Sequence, residues 1–184
     1  MWEANRFFDR HIEIRHTLRN GPVRFLGAFD VSTRVMPSVS HTIEIGQPPS
    51  TLSKILLDAN RIRDWAPVVV DSSCSQEVLK EGSVFSIKAD LKSVGGPKFD
   101  FDNIVEKISD REIVWRQTKG SLKRLEWHFQ LDPAEKGTRL ALTIDYQMPY
   151  SFIGKLMDKV KMHRVIDSAC QVNLEGLKKK AESL

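Results

Sequence analysis

Cysteine is nearly absent. Cys74 and Cys170 are the only two, and they form no CxxC pair, so neither a disulfide framework nor a structural zinc site is expected. The five histidines (His11, His16, His41, His128 and His163) show no HExxH or other ligand spacing. Neither a metal nor a cofactor is expected. No apolar run approaches the ~18–20 residues needed to cross a bilayer, which argues against stable membrane insertion. Residues 1–20 carry charges throughout and lack the uninterrupted apolar stretch of a secretory signal; the expected location is the cytoplasm. Excess charge is small, at +4. The densest basic run, Lys178-Lys179-Lys180, falls near the end of a helical stretch, where cations suit the helix dipole. No recognisable nucleic-acid module is present, and nucleic acid is not an expected partner.

What is present suits one soluble, globular domain. The 184 residues are 41% hydrophobic and 28% charged, enough for a real core. Residues 1–35 stand apart. A short, poorly amphipathic helix around Phe7, Phe8 and Ile12 is broken by Asn20-Gly21-Pro22. Val23, Phe25, Phe29, Val31 and Val35 then alternate with polar residues, the period of one extra strand. Met36-Pro37-Ser38-Val39 would itself open a complete domain. Residues 1–35 therefore read as an extension and 36–184 as the principal domain.

That domain is rich in strands. Val39, His41, Ile43 and Ile45 alternate with polar neighbours up to Gly46-Gln47-Pro48-Pro49. Ser50 or Thr51 can cap a short helix carrying Leu52, Ile55, Leu56 and Ala59, and a second helical turn, Arg61 to Trp65, stops at Pro67. Strands are predicted over 68–78, 84–91, 99–108, 113–118, 123–132 and 138–147, separated by turns short enough to make neighbours antiparallel. From Tyr150 to Leu184 there is no proline. Ile153, Leu156, Val160, His163, Asp167, Cys170, Leu174, Leu177 and Ala181 mark one amphipathic helix, with Ser151 as its N-cap.

This order of elements implies a wrapped sheet. Seven strands at ~4.8 Å spacing make a sheet about 34 Å wide, and one helix is only ~10–12 Å across. The sheet must curl to meet it. The fold class expected is α+β: a curved seven-stranded antiparallel sheet around a long C-terminal helix, with two short helices. Alternation places Phe85, Ile87, Phe99, Phe101, Val105, Ile113, Trp115, Leu125, Trp127, Phe129, Leu140, Leu142, Ile144 and Tyr146 on the inner face. Counting alone leaves open whether the curl encloses a void or is filled by these side chains.

Several segments together resemble the helix-grip superfamily. They are Pro49 to Trp65 ending in Arg63-Asp64-Trp65-Ala66-Pro67, Lys123 to Leu131, Gly137-Thr138-Arg139-Leu140, and Asn173-Leu174-Glu175-Gly176-Leu177-Lys178. That superfamily includes START lipid-transfer domains, polyketide cyclases and dehydrases, and birch-pollen-allergen-type proteins. The chain is most similar to the polyketide cyclase/dehydrase-like group, with coenzyme Q-binding proteins as close cousins. The resemblance spans Ser38 to Ser183. It implies a hydrophobic or amphipathic ligand held between helix and sheet, and it implies no universal catalytic residue.

The residues expected to line the cavity are Trp65, Phe85, Ile87, Phe99, Phe101, Asn103, Trp115, Trp127, Phe129, Leu142, Tyr146, Leu156, Val160 and His163. Trp65 is placed at the entrance, and the Gly95-Gly96-Pro97 loop is either a lid or an ordinary hairpin. His163 and Asp167, four apart, face one another on a helix. They and Tyr146 are the polar candidates for moving protons, and none is assigned a catalytic role. Binding or transport of a lipid, isoprenoid quinone or polyketide-like molecule is the leading reading. A cyclase- or dehydratase-like enzyme using the same cavity is the alternative, and it requires these three side chains to converge inside it. A third reading gives residues 1–35 the job of adding a strand to a sheet edge. The sequence assigns no oligomeric state.

Overall fold

Period-two alternation over seven segments produces, among the described residues, seven strands, all in one antiparallel sheet. The computed structural model describes residues 37–149 and 159–184. The strands are β1 (Ser38–Ile45), β2 (Val69–Ser73), β3 (Val84–Asp90), β4 (Lys98–Ile108), β5 (Glu112–Gly120), β6 (Arg124–Ala134) and β7 (Gly137–Gln147). Their order across the sheet is β1-β7-β6-β5-β4-β3-β2. Sequence neighbours pair throughout except at β1, which crosses to join the last strand, with Ser38 opposite Asp145 and Ile45 opposite Thr138. The predicted extra strand at 23–35, the helix around Phe7 to Ile12, the Ser151 cap and Leu156 all lie outside the described residues.

Extra residues bend the sheet. The register shifts between Val69 and Asp71 on β2, and between Asp102 and Asn103 and again between Val105 and Lys107 on β4. Each such bulge adds local twist. The curl brings both flanks of the sheet to one helix. Helix α2, described over Lys159–Glu182, packs against β1 and β7 on one side and against the Leu91–Val94 3₁₀ turn, between β3 and β4, on the other.

The inner face buries the expected set, with Phe85, Ile113, Phe129, Leu140 and Tyr146 almost fully enclosed. Trp115 meets Phe85 edge-on at 5.1 Å and Phe129 at 4.8 Å. Such a pair adds about 0.5–1.5 kcal/mol beyond the area it buries. On the outer face Glu126 is buried as well, because Arg124 donates two hydrogen bonds to its Oε1, at 2.9 and 2.7 Å.

Four local expectations are corrected. Helix α1 (Pro49–Leu56) starts from Pro48, with Pro49 in the first turn and no side-chain cap, so neither Ser50 nor Thr51 caps it. Proline's fixed φ begins the helix without one. The second short helix is a 3₁₀ turn, Ala59–Asp64. Strand β2 stops at Ser73 rather than Val78, because the Cys74 N–H turns away to donate to Asn60 Oδ1 at 2.9 Å. On α2 the buried stripe in its first described turns is Met162, Val165, Ile166, Ala169 and Cys170, while Val160 is 60% exposed and His163 is also exposed. Val160, Asp167, Leu174 and Ala181 repeat every seven residues, and such a repeat drifts about 20° per heptad around a straight helix. The drift carries Val160 and His163 off the buried side.

Candidate functional site

Between the inner sheet face and α2 lies an apolar cavity of ≈ 90 Å³. One water-sized sphere occupies only ~10–15 Å³ by the same kind of measure, so several non-hydrogen atoms fit. Each strand from β3 to β7 contributes alternate residues: Ile87 and Ala89, then Phe99 and Phe101, then Trp115 and Gln117, then Leu125, Trp127 and Phe129, then Leu142 and Ile144. Helix α2 contributes Ile166, Ala169 and Asn173, and the remaining wall is Ile62, Trp65, Ala66, Val68, Val69, Leu91 and Leu122. No ionisable side chain occurs among these described lining residues. Val69, Phe101, Gln117, Trp127 and Asn173 are only half-buried, so these are the lining residues that also reach solvent.

Trp65 is positioned by a close helix approach. A Cβ on Gly176 of α2 would lie 2.1 Å from the Trp65 carbonyl oxygen and 2.9 Å from Pro67 Cδ. The bare glycine backbone is what lets the Trp65–Pro67 segment lie on the helix, and it sets the indole in the cavity wall at 5% exposure. Another glycine, Gly120, makes room for the Gln117 amide, whose Nε2 donates to the Leu122 carbonyl at 2.8 Å. The Gly95-Gly96 segment is docked rather than free. Gly95 takes φ +81 to close the Leu91–Val94 turn, and a Cβ on Gly96 would lie 2.5 Å from Val165 of α2. Asp90 starts that turn by accepting from the Lys92 N–H at 3.0 Å. This bond, with the nearby Lys98, holds the Asp90 carboxyl below its ordinary value.

Of the residues singled out from sequence, Trp65, Ile87, Phe99, Phe101, Trp115, Trp127, Phe129 and Leu142 line the cavity. Phe85 packs behind Trp115, and Asn103 is fully buried between Phe85 and Gln117 in register. Val160 and His163 are exposed on α2 and do not line the cavity, and Tyr146 is buried apart from the lining. Leu122 comes from a turn that alternation does not reach, and Leu91, the last residue of the predicted strand 84–91 and in phase with Phe85 and Ile87, opens the 3₁₀ turn instead. Ile166, Ala169 and Asn173 follow a helical spacing beside the stripe chosen from sequence, so their signal was present one position away.

His163 and Asp167 do not pair with each other. Asp167 Oδ1 is 2.8 Å from His41 Nε2 on β1. His163 Nδ1 is 3.0 Å from the Tyr146 hydroxyl on β7. Each side chain therefore ties α2 to the sheet, and the convergence that proton transfer inside the cavity would need does not occur. Burial raises the Tyr146 phenol above its ordinary value, which keeps it protonated. Cys170 lies one helical turn from Asp167, completing a cysteine–histidine–aspartate grouping with His41. Its thiol is pushed up to about 12, first by burial and then by the Asp167 charge. A nucleophilic cysteine needs the opposite shift. On the outer face Glu126, His128 and Asp145 bring ligand-type atoms within 4.8 Å of one another. There His128 Nε2 stands 3.7 Å from Glu126 Oε2 and 3.8 Å from Asp145 Oδ2, with Arg124 on the other Glu126 oxygen. That grouping is a charge network across β6 and β7. Among the described residues no helix is long and apolar enough to cross a membrane.

Solved structures share this architecture. The protein TTHA0849 from Thermus thermophilus superposes with a TM-score of 0.68 at 19% identity, over 80% of this chain and 98% of that one. A START superfamily protein from Mycobacterium smegmatis gives 0.66 at 14% identity, over 79% and 97%. The Zhui aromatase/cyclase from Streptomyces sp. R1128 gives 0.67 at 19% identity, over 80% and 94%. At these identities the likeness is one of fold, the helix-grip fold. A search of curated proteins returned no match. A family profile described as polyketide cyclase / dehydrase and lipid transport matches residues 36–182, most of the chain, and the chain belongs to that family.

Proposed function

We propose that residues 36–184 form a binding or transport domain for a small hydrophobic molecule of the lipid, isoprenoid quinone or polyketide-like kind, working in the cytoplasm with residues 1–35 as an extension. One observation carries this reading: the sheet and helix leave an apolar void where their own side chains could have met. A native core is normally packed to crystal-like density, so a retained cavity of this size is a feature to be explained by an occupant. The cyclase- or dehydratase-like alternative draws on one contact, the Tyr146–His163 hydrogen bond at 3.0 Å. Neither residue lines the cavity, and carriage is therefore the better-supported reading.

Solvent extraction of the purified protein, followed by mass spectrometry, tests it directly. The expected result is a stoichiometric hydrophobic compound, or stoichiometric uptake of the neutral dye N-phenyl-1-naphthylamine when none co-purifies. Ala169→Phe, which projects a ring into the cavity, should abolish the uptake. Dye binding that Ala169→Phe leaves untouched would overturn the proposal.

A further inference from the structure

On the face of the sheet turned away from the cavity, three side chains of metal-ligand type meet. Glu126 and His128 stand two apart on β6 and so share the outer face, while Trp127 between them lines the cavity. Asp145 stands directly opposite Glu126 on β7. Its neighbour Ile144, opposite Trp127, lines the cavity as well. Ligand-type atoms of Glu126, His128 and Asp145 lie within 4.8 Å of one another.

Two observations call for a cation at this place. Like charges directly opposite each other destabilise a sheet, and Glu126 and Asp145 are such a pair. Glu126 is also only 6% exposed, and a carboxylate that deep is almost never found without a counter-charge. The neighbouring arginines answer part of this demand. Arg124 donates two hydrogen bonds, both to Glu126 Oε1. Arg116, opposite Glu126 on β5, gives its Nε to Glu106.

The remaining atoms have the spacing of a metal shell. His128 Nε2 stands 3.7 Å from Glu126 Oε2 and 3.8 Å from Asp145 Oδ2. A hydrogen bond does not reach that far. Two ligands of one tetrahedral ion, each ~2.0–2.2 Å from it, stand about 3.4 Å apart. Each gap therefore closes onto an ion by a few tenths of an ångström. The carboxylates approach each other further by rotation of Asp145, whose side chain is partly exposed.

We infer that Glu126 Oε2, His128 Nε2 and Asp145 Oδ2 form a binding site for a divalent transition-metal ion of the zinc type. The imidazole selects this class over magnesium and calcium, which take oxygen shells. Three protein ligands leave the fourth position to water. Arg124 serves as an outer-shell partner, holding the Glu126 carboxylate by its other oxygen. The ion ties β6 to β7 directly behind the Trp127–Ile144 part of the cavity wall.

Isothermal titration of Zn²⁺ into the chelator-treated full chain tests this. One equivalent should bind. His128→Gln and Asp145→Asn should each weaken that binding by at least the roughly tenfold that loss of even an outer-shell partner costs. His163→Gln, at an exposed position on α2, should leave it unchanged. Co²⁺ in place of Zn²⁺ should give visible d–d absorption without a thiolate charge-transfer band, which separates this site from one at Cys74. Circular dichroism of the metal-free variants checks that each is folded, and either variant alone suffices for the comparison. No zinc binding by the unaltered protein, unchanged binding in a folded variant, or a thiolate band with cobalt would each overturn the inference. None of these results bears on the cavity's binding role.

Discussion

Replacing Gly176 with alanine separates two opposite effects on stability. Helix propensity alone favours alanine over an interior glycine by about 1 kcal/mol. The packing of α2 says the reverse. The new Cβ would stand 2.1 Å from the Trp65 carbonyl oxygen, and real Cβ contacts stay beyond 3.0 Å, so the helix and the Trp65–Pro67 segment must separate by most of an ångström. Both partners are backbone, and neither can swing aside as a side-chain tip would. Overpacking of a tight contact costs typically ~1–3 kcal/mol, and this geometry belongs at the upper end. The net expectation is a loss of about 2 kcal/mol, or roughly 4–8 °C in Tm for a chain of this length. Thermal and urea denaturation followed by circular dichroism measure it, with Glu175→Ala as the control. Glu175 is exposed in the same helical turn, and its replacement should stay within about 0.5 kcal/mol of the unaltered protein. A Gly176→Ala protein as stable as its parent, or more so, would refute the contact and the account of how Trp65 is held.

Three further outcomes follow from other side chains. Cys74 is half-buried and Cys170 fully buried with a thiol raised to about 12, so one thiol should react with Ellman's reagent in the native protein and two in denaturant. Because the Cys170 pKa is raised on folding, its stabilising contribution is complete below the ordinary thiol value of 9.0 and is lost as pH climbs toward about 12; Cys170→Ala should flatten the stability decline across that window, and an equally steep decline would count against the assignment. Tyr146→Phe removes the hydroxyl that bonds exposed His163 and should cost about 1 kcal/mol while leaving affinity for N-phenyl-1-naphthylamine unchanged; a tenfold affinity loss would bring Tyr146 into the cavity's work.

The sheet was legible in the sequence because a strand's period of two is unambiguous when one face is wet. Phe99, Trp115 and Phe129 needed only counting to reach the inner face. The curl followed from widths alone. The helix stripe was misread near its start, since a seven-residue repeat and a 3.6-residue helix diverge slowly and the error is largest far from Leu177, where the packing is tight. Leu122, a cavity-lining residue between β5 and β6, carries no periodicity at all. The partners of Asp167 and His163 came from β1 and β7, far off in sequence, so their adjacency on α2 pointed to the wrong pair. The two glycines in the resemblance segments have a physical reading. A Cβ at Gly137 or at Gly176 would lie 2.1 Å from another segment's carbonyl oxygen, that of Ile45 or of Trp65.

The crossing of β1 to the far end of the chain has a temporal side. Ser40 and Thr143, hydrogen-bonded at 3.0 Å, are 103 positions apart. At a synthesis rate of about 5–20 residues per second, β1 waits roughly 5–20 s for β7 to leave the ribosome. Throughout that interval Val39 and Ile45, both buried in the finished sheet, have no strand to cover them. Strands β2 to β6 can meanwhile pair in order, each with the one just made. Pairings of long sequence separation form late, so β1 and α2 close the structure together as its last act. The cavity wall that α2 contributes exists only from that moment.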